Sequence, residues 1–252
     1  RPSNSTSSAI NTNLLCWGKN ERGQVGALIA GRRQDVTEPT PVFNSSQGPI
    51  DVDTGPEHTC AIVAGDSSIQ GTRSGDLYCW GDNRLGQSVP VDRENAPEAG
   101  PSVERPSLYS SPARIEVAYM QFAQACSGDN YSCALSDEGR LMCWGTNSHG
   151  QLGPINENTL LTRPTEIFPG TRHVEIGCGA QHVCATSLEG ESTCWGRNHL
   201  GQLGQPPEVL PQSDTPIPLS QDNTPFRFEV LSQGEHTSCG LTQEGLLYCW
   251  GN

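Results

Sequence analysis

Apolar and polar positions alternate in short bursts along this chain, and the bursts recur. Between Cys133 and Cys143, the apolar ends Cys133-Ala134-Leu135 and Leu141-Met142-Cys143 enclose a polar run that finishes at Gly139. That pattern predicts two short strands joined by a three-residue turn, its last position a glycine in the left-handed conformation. Gly190 and Gly245 recur at the same place in sister segments. With this turn Ser136 faces Arg140, Leu135 faces Leu141 and Cys133 faces Cys143. The turn-closing pair is hydrogen-bonded, so the cysteines fall on a non-hydrogen-bonded pair, where Cα atoms approach to about 4.5 Å. A disulfide tolerates that separation.

The hairpin belongs to a longer unit. A first strand runs to a glycine, as in Val174-Glu175-Ile176-Gly177-Cys178-Gly179 or Ile115-Glu116-Val117 continuing to Gly128. A short second strand carries His and Cys: His58-Thr59-Cys60, Tyr131-Ser132-Cys133, His182-Val183-Cys184 and His236-Thr237-Ser238-Cys239. The third strand carries Cys-Trp-Gly-x-Asn, starting at Cys16, Cys79, Cys143 and Cys194, with a clipped copy at Cys249. A turn rich in Asn and Gly follows, then an extended piece opening at proline, as in Arg163-Pro164-Thr165. Self-similarity with so long a period marks one supersecondary unit that buries its faces only by stacking on its neighbours. The expected fold is all-β, a β-propeller of four-stranded blades. About five units, ending at Trp17, Trp80, Trp144, Trp195 and Trp250, fill residues 14–252 behind a polar segment 1–13. His236 stands three residues before its cysteine, where His58 and His182 stand two before, which predicts a bulge in the last unit.

Composition agrees. Gly (28) and Pro (19) are abundant in 252 residues and only 34% are hydrophobic, as in a turn-rich β protein. No apolar run is long enough for a membrane helix. The chain opens Arg1-Pro2-Ser3 and its methionines are Met120 and Met142, which reads as a processed or excerpted piece of a longer product. Its formal charge is −13, with one lysine, Lys19. Nucleic acid and anionic membranes need a basic face, and the pair Arg32-Arg33 reads as solvated surface.

Eleven cysteines are too many to be casual. Without a Cys-x-x-Cys pair, no metal site is expected. Cys60 with Cys79, Cys133 with Cys143, Cys184 with Cys194, and Cys239 with Cys249 are read as disulfides across hairpins; facing reduced pairs are the alternative. Cys126 and Cys178 each sit just before the glycine closing a first strand and would bridge neighbouring units. Cys16 has no partner in the chain. Sequons at Asn4, Asn44 and Asn130, taken with paired cysteines, imply glycosylation and an extracellular or cell-surface location in the secretory pathway.

The strings Gly-x-x-His-x-Cys-Ala and Gly-x-x-x-Cys-Trp-Gly-x-Asn-x-x-Gly-Gln-Leu-Gly, best kept at 128–153 and 179–204, resemble the regulator of chromosome condensation repeat, a β-propeller family. The cysteine-bearing form is similar to extracellular members, among them bacterial secreted propellers and Crinkly receptor-kinase ectodomains. The resemblance implies rings of about seven blades, so either blades lie outside this sequence or it forms a ring of about five. The expected function is that of a non-catalytic extracellular protein–protein interaction or structural scaffold propeller, a building block of a cell-surface assembly or receptor ectodomain whose open blade edges invite protein partners or neighbouring copies, with no cofactor. The alternative is an intracellular guanine nucleotide exchange factor or chromatin adaptor. The repeat histidines fall around a ring rather than in one pocket, and no nucleophile elbow or phosphate loop occurs, so no enzyme is expected. The long connections Ser88 to Pro112 and Gln205 to Pro225 are the expected recognition surface.

Overall fold

A computed structural model describes residues 12–27, 33–45, 48–64, 74–89, 108–156, 159–222 and 224–252. Unit 1 holds β1 (Thr12–Gly18) and β2 (Val36–Ser45). Unit 2 is a four-stranded sheet of β3 (Pro49–Thr54), β4 (His58–Val63), β5 (Asp76–Asp82) and β6 (Leu108–Arg114). Unit 3 repeats it with β7 (Phe122–Ser127), β8 (Tyr131–Ser136), β9 (Leu141–Thr146) and β10 (Leu160–Glu166). Unit 4 does so with β11 (His173–Cys178), β12 (His182–Ser187), β13 (Ser192–Arg197) and β14 (Gln212–Pro218). A ribbon of β15 (Ser220–Gln221) and β16 (Thr224–Pro225) leads to unit 5, with β17 (Phe228–Gln233), β18 (Thr237–Thr242) and β19 (Leu247–Gly251). The fold is an all-β propeller whose blades are antiparallel meanders. Among the described residues no helix is long and apolar enough to cross a membrane.

The hairpins follow turn chemistry. Ser136 N–H donates to Arg140 O at 2.9 Å, Gly139 takes φ 79°, and Cys133 lies opposite Cys143 with Cα atoms 4.1 Å apart. The bulge expected in the last unit is absent from β18, which pairs with β19 without a shift. Thr237 takes the position that His58 and His182 hold opposite the signature glycine, and His236 drops into the preceding turn. Irregularities sit instead near the start of every first strand, between Pro49 and Asp51, Phe122 and Gln124, His173 and Glu175, and Phe228 and Val230. Fourth strands also shift register where Pro112, Pro164 and Pro216 lie, since proline cannot feed a ladder and survives only at an edge. The stretch from Gln205 to Pro225, expected as a long connection, supplies β14 and the ribbon. Most of the other, residues 90–107, lies outside the described residues.

The core lies between units. Strand alternation sends Met142 and Trp144 to one face of unit 3 and Cys133, Leu135, Leu141 and Cys143 to the other. Trp144 packs with Cys60 and Cys79 of unit 2, and Trp195 of unit 4 packs with Cys133 and Cys143. Trp250 lies against Cys184 and Cys194 in the same way. Each cross-hairpin cysteine pair in units 2 to 4 is thus covered by the next unit's tryptophan.

The signature residues have separable jobs. Gly145 holds φ 102°, and a Cβ there would come within 2.4 Å of Asn130 O. Asn147, buried, accepts Leu152 N–H at 2.8 Å and donates to Gly153 O and Ile155 O, folding the loop after the tryptophan strand. That loop presents Gln151 O to the indole N–H of Trp195 at 3.0 Å. Gln24 O receives Trp80, and Gln202 O receives Trp250, by the same geometry.

Candidate functional site

Four turns converge at one end of the stack. Gly55, Gly128, Gly179 and Gly234, which close the first strands of units 2 to 5, line a cavity of about 490 Å³ with Pro56, Asp129 and Glu235. Glycine is required there by what lies beneath. A Cβ on Gly179 would sit 2.0 Å from the His182 ring, and one on Gly128 would sit 1.9 Å from the Tyr131 ring. Burial pushes the Asp129 carboxyl up, and the nearby Glu235 charge adds to the rise. His236 sits 3.4 Å from Glu235 on the same rim.

Behind this mouth the inner strands face one another without pairing. Their N–H groups are capped by side chains instead: Ala125 donates to Asp51 at 2.8 Å, Ser127 to Asp53 at 2.6 Å, Ile176 to Gln124 at 3.1 Å and Leu231 to Glu175 at 3.1 Å. Gln124 also donates to Glu175 at 2.6 Å, and burial raises Asp51, Asp53 and Glu175 above the usual carboxylate range. These residues join blades by satisfying backbone donors that would otherwise be orphaned. Sequence reasoning missed them, although Asp51, Gln124 and Glu175 each stand four residues before the closing glycine of their unit.

The repeat histidines are structural. His58 Nε2 meets Ser132 Oγ at 2.8 Å, and His182 Nε2 meets Ser238 Oγ at 2.8 Å, each across a unit boundary. Ser132 and Ser238 donate onward to Gln87 O and Gln202 O, so each accepts from a neutral imidazole N–H. Burial lowers both histidines to about 4. The serines are fully buried, so no substrate reaches these pairs. In unit 3 Tyr131 takes the histidine's place and shares its one hydroxyl proton between Gly179 O and His182 O, at 2.9 and 2.6 Å.

The sulfurs of Cys60 and Cys79, Cys133 and Cys143, Cys184 and Cys194, and Cys239 and Cys249 lie at bonding distance across hairpins, and those of Cys126 and Cys178 do so between units 3 and 4. The sulfurs of Cys126, Cys133 and Cys178 lie within 4.8 Å of one another, each already in one of these pairs. Cys16 is half-buried and unbonded, its thiol pushed up by burial. Of the sequons, Asn4 lies outside the described residues, as does the side chain of Asn44. Asn130 is half-buried in the turn after β7, its carbonyl accepting from Thr146 N and Oγ1.

Models of the regulator of chromosome condensation (RCC1) repeat match residues 13–62, 122–151, 138–186 and 174–202. The chain is 30% identical to the Arabidopsis thaliana RCC1 domain-containing protein RUG3, mitochondrial, over 95% of its own length and 49% of that protein's. It is 28% identical to the Mus musculus secretion-regulating guanine nucleotide exchange factor over 90% of itself and 49% of that relative. The chain thus spans about half the length of these curated relatives. In structure it superposes on Prp20p of Saccharomyces cerevisiae with TM-score 0.69 and 22% identity, covering 97% of this chain and 54% of that one. The expected extracellular or cell-surface location is overturned, because RUG3 is named as mitochondrial and the mouse relative as an exchange factor, both intracellular settings. Tripeptide sequons arise by chance and facing cysteines report strand register, so neither outweighs relatives that align along nearly the whole chain. The repeat, its buried tryptophans and its blade topology make this chain a member of the RCC1 repeat family.

Proposed function

We propose that this chain is an intracellular, non-catalytic propeller that holds a basic stretch of a protein partner at the glycine-lined mouth. The observation that carries the reading is the mouth itself. Backbone turns of four consecutive units meet there, with Asp129 and Glu235 on the rim. Bare glycine turns admit a close-lying chain, and carboxylates beside a low-dielectric wall attract cationic side chains. The overall charge of −13 adds a field of the same sign. Prp20p, which shares the fold, is described by its binding to Gsp1p and histones. Fluorescence anisotropy with an arginine-rich peptide tests the reading. Binding should saturate, weaken with added salt, and fall at least tenfold in the double variant Asp129→Asn, Glu235→Lys. Absence of binding, or binding indifferent to both changes, rejects it.

A second reading, guanine nucleotide exchange, draws on the mouse relative's printed activity. It requires that the protein accelerate release of fluorescent GDP from a small GTPase, and unchanged release would end it. We also propose that the five cysteine pairs close as disulfides once the protein is held under oxidising conditions. Thiol counting in denaturant should then find one free group, Cys16, and a count of eleven would refute the pairing.

A further inference from the structure

We infer that in the reduced chain Cys126, Cys133, Cys143 and Cys178 make a binding site for one soft divalent metal ion, zinc above all, between units 3 and 4. Both units are complete four-stranded sheets, so every ligand is on the page. The site does not depend on what the mouth holds.

Strand register gathers the sulfurs. Cys126 of β7 lies opposite Cys133 of β8, and Cys133 lies opposite Cys143 of β9. Paired residues share a face, so three cysteines stand in a row across the side of unit 3 that meets unit 4. Strand β11 lays Cys178 of unit 4 against the row, and the sulfurs of Cys126, Cys133 and Cys178 fall within 4.8 Å of one another. Thiolates around a tetrahedral zinc ion, each about 2.3 Å from it, stand about 3.8 Å apart. Three corners of that figure are therefore in place. Cys143, its sulfur at bonding distance from that of Cys133, stands beside the fourth. All four side chains are buried, in one apolar cluster with Leu141, Ile176 and Trp195. Cys178 also lines the glycine-lined mouth, which gives an ion its way in.

The third sulfur of the row is peculiar to unit 3. Opposite Cys60, Cys184 and Cys239, where Cys126 would stand, the first strands carry Asp53, Gly177 and Ser232. Units 2, 4 and 5 thus present a hairpin pair alone, while the face between units 3 and 4 holds twice the sulfur. Where thiols stay reduced, cysteines grouped in this way favour a metal ion over disulfides. A thiol buried in apolar surroundings resists ionisation, and a divalent ion makes the thiolate favourable there. Opening the two pairs consumes two equivalents of a dithiol reductant, each passing on two electrons and two protons and ending as its own disulfide. The ion then displaces the thiol protons and fastens unit 3 to unit 4 by coordination. Cys-x-x-Cys spacing does not mark the site, because its ligands come from four strands in two units.

Cobalt(II), a coloured stand-in for zinc, tests the site on the whole chain, reduced with a dithiol and desalted without oxygen. One equivalent should saturate the protein, bringing a near-ultraviolet thiolate-to-cobalt charge-transfer band and the intense visible bands of a tetrahedral site. Zinc should bleach both and raise the melting temperature of the reduced chain. The oxidised parent should show none of these bands. Cys126→Ser with Cys178→Ser should weaken cobalt binding at least tenfold. Cys239→Ser with Cys249→Ser, in unit 5, should leave stoichiometry and spectrum unchanged. Asp129→Asn with Glu235→Lys should likewise bind one equivalent, which separates failure here from failure of peptide binding. If the reduced chain unfolds without metal, one equivalent of zinc should restore its circular dichroism. A reduced parent that binds no cobalt, a spectrum without thiolate bands, bands in the oxidised parent, uptake indifferent to the loss of Cys126 and Cys178, or a reduced chain that stays unfolded with zinc would overturn the inference.

Discussion

The boundary between units 3 and 4 and the boundary between units 4 and 5 share a backbone and differ in their fasteners. The first carries the Cys126–Cys178 bond, the apolar pair Leu135 and Leu141, and Tyr131 reaching across to two carbonyls. The second has no bridging disulfide among the described residues. Its corresponding pair is Thr186 and Ser192, hydrogen-bonded to the backbone of Phe228, and His182 stands where Tyr131 stood. Common to both are a tryptophan laid over the preceding cysteine pair and a loop carbonyl that receives its indole. The repeat therefore specifies one contact and leaves the rest of each boundary to separate chemistry.

The shared contact should show the largest effect. Trp195 is fully buried, meets Phe168 edge-to-face at 5.2 Å, and donates to Gln151 O. Trp195→Ala should cost about 3–5 kcal/mol in urea-midpoint measurements, whereas Trp17→Ala should cost less than about 0.5 kcal/mol. Equal costs would break the claim that tryptophan burial between units holds the stack.

Acid should separate the two boundaries next. His182 is neutral in the fold because burial disfavours its charge; its Nε2 proton goes to Ser238, and its buried Nδ1 makes no hydrogen bond. Its folded-state value of about 4 lies below the ordinary 6.5, chiefly from burial and then from the His236 charge. The unfolded chain therefore binds the proton first, and stability present above pH 6.5 is lost as pH falls toward 4. The loss is roughly 3 kcal/mol per such histidine once pH passes the folded value, and His58 adds a like term at the boundary of units 2 and 3. At the boundary of units 3 and 4 Tyr131 stands against Val183, and the buried histidine there is His173, lowered by burial and bonded through its backbone N–H to Gly139 O. The double variant His182→Tyr, Ser238→Val transplants that pairing and should lower the slope of stability against pH in this window by the share that His182 contributes. An unchanged slope would assign the acid response elsewhere.

The staple comes third. Cys126 and Cys178 are 52 residues apart in sequence, so their bond restrains a long loop of the unfolded chain. Replacing both with serine should lower stability by about 2–4 kcal/mol under non-reducing conditions. No change would mean that the pair contributes nothing beyond packing.

Hairpins, the register that sets cysteines face to face and the direction of the tryptophans were legible in the sequence because each follows from local turn chemistry and two-residue alternation. Gly139 and the run from Cys133 to Cys143 contain the whole argument for their register. The capping ladder was not, since Asp51, Gln124 and Glu175 act on backbone more than 50 residues away, and a lone carboxylate in a first strand reads as solvated. Strand β14 hid in a proline-rich stretch because an outer strand pairs on one side and needs no strict alternation. His236 misled because its spacing suggested a bulge in the strand, while the chain absorbed the extra residue in the turn before Thr237. Compartment was misread for another reason: cysteines that face across a hairpin are dictated by the blade, whatever surrounds it.

The smallest effect probes the hydroxyl pair that replaces leucines between units 4 and 5. Thr186 Oγ1 meets Phe228 O at 3.0 Å and Ser192 Oγ at 2.9 Å, and Ser192 Oγ in turn accepts Phe228 N–H at 2.9 Å. Thr186→Val keeps the shape and removes the donor, leaving a buried carbonyl with one partner fewer. The expected cost is about 1–2 kcal/mol. Because both hydroxyls serve one backbone residue, Ser192→Ala and Thr186→Val together should cost less than the sum of the singles, with a coupling of at least about 0.5 kcal/mol. Strict additivity would mean that the two hydroxyls act alone, and the boundary would then be held by Trp250 and the Glu175 cap rather than by a network spanning three strands.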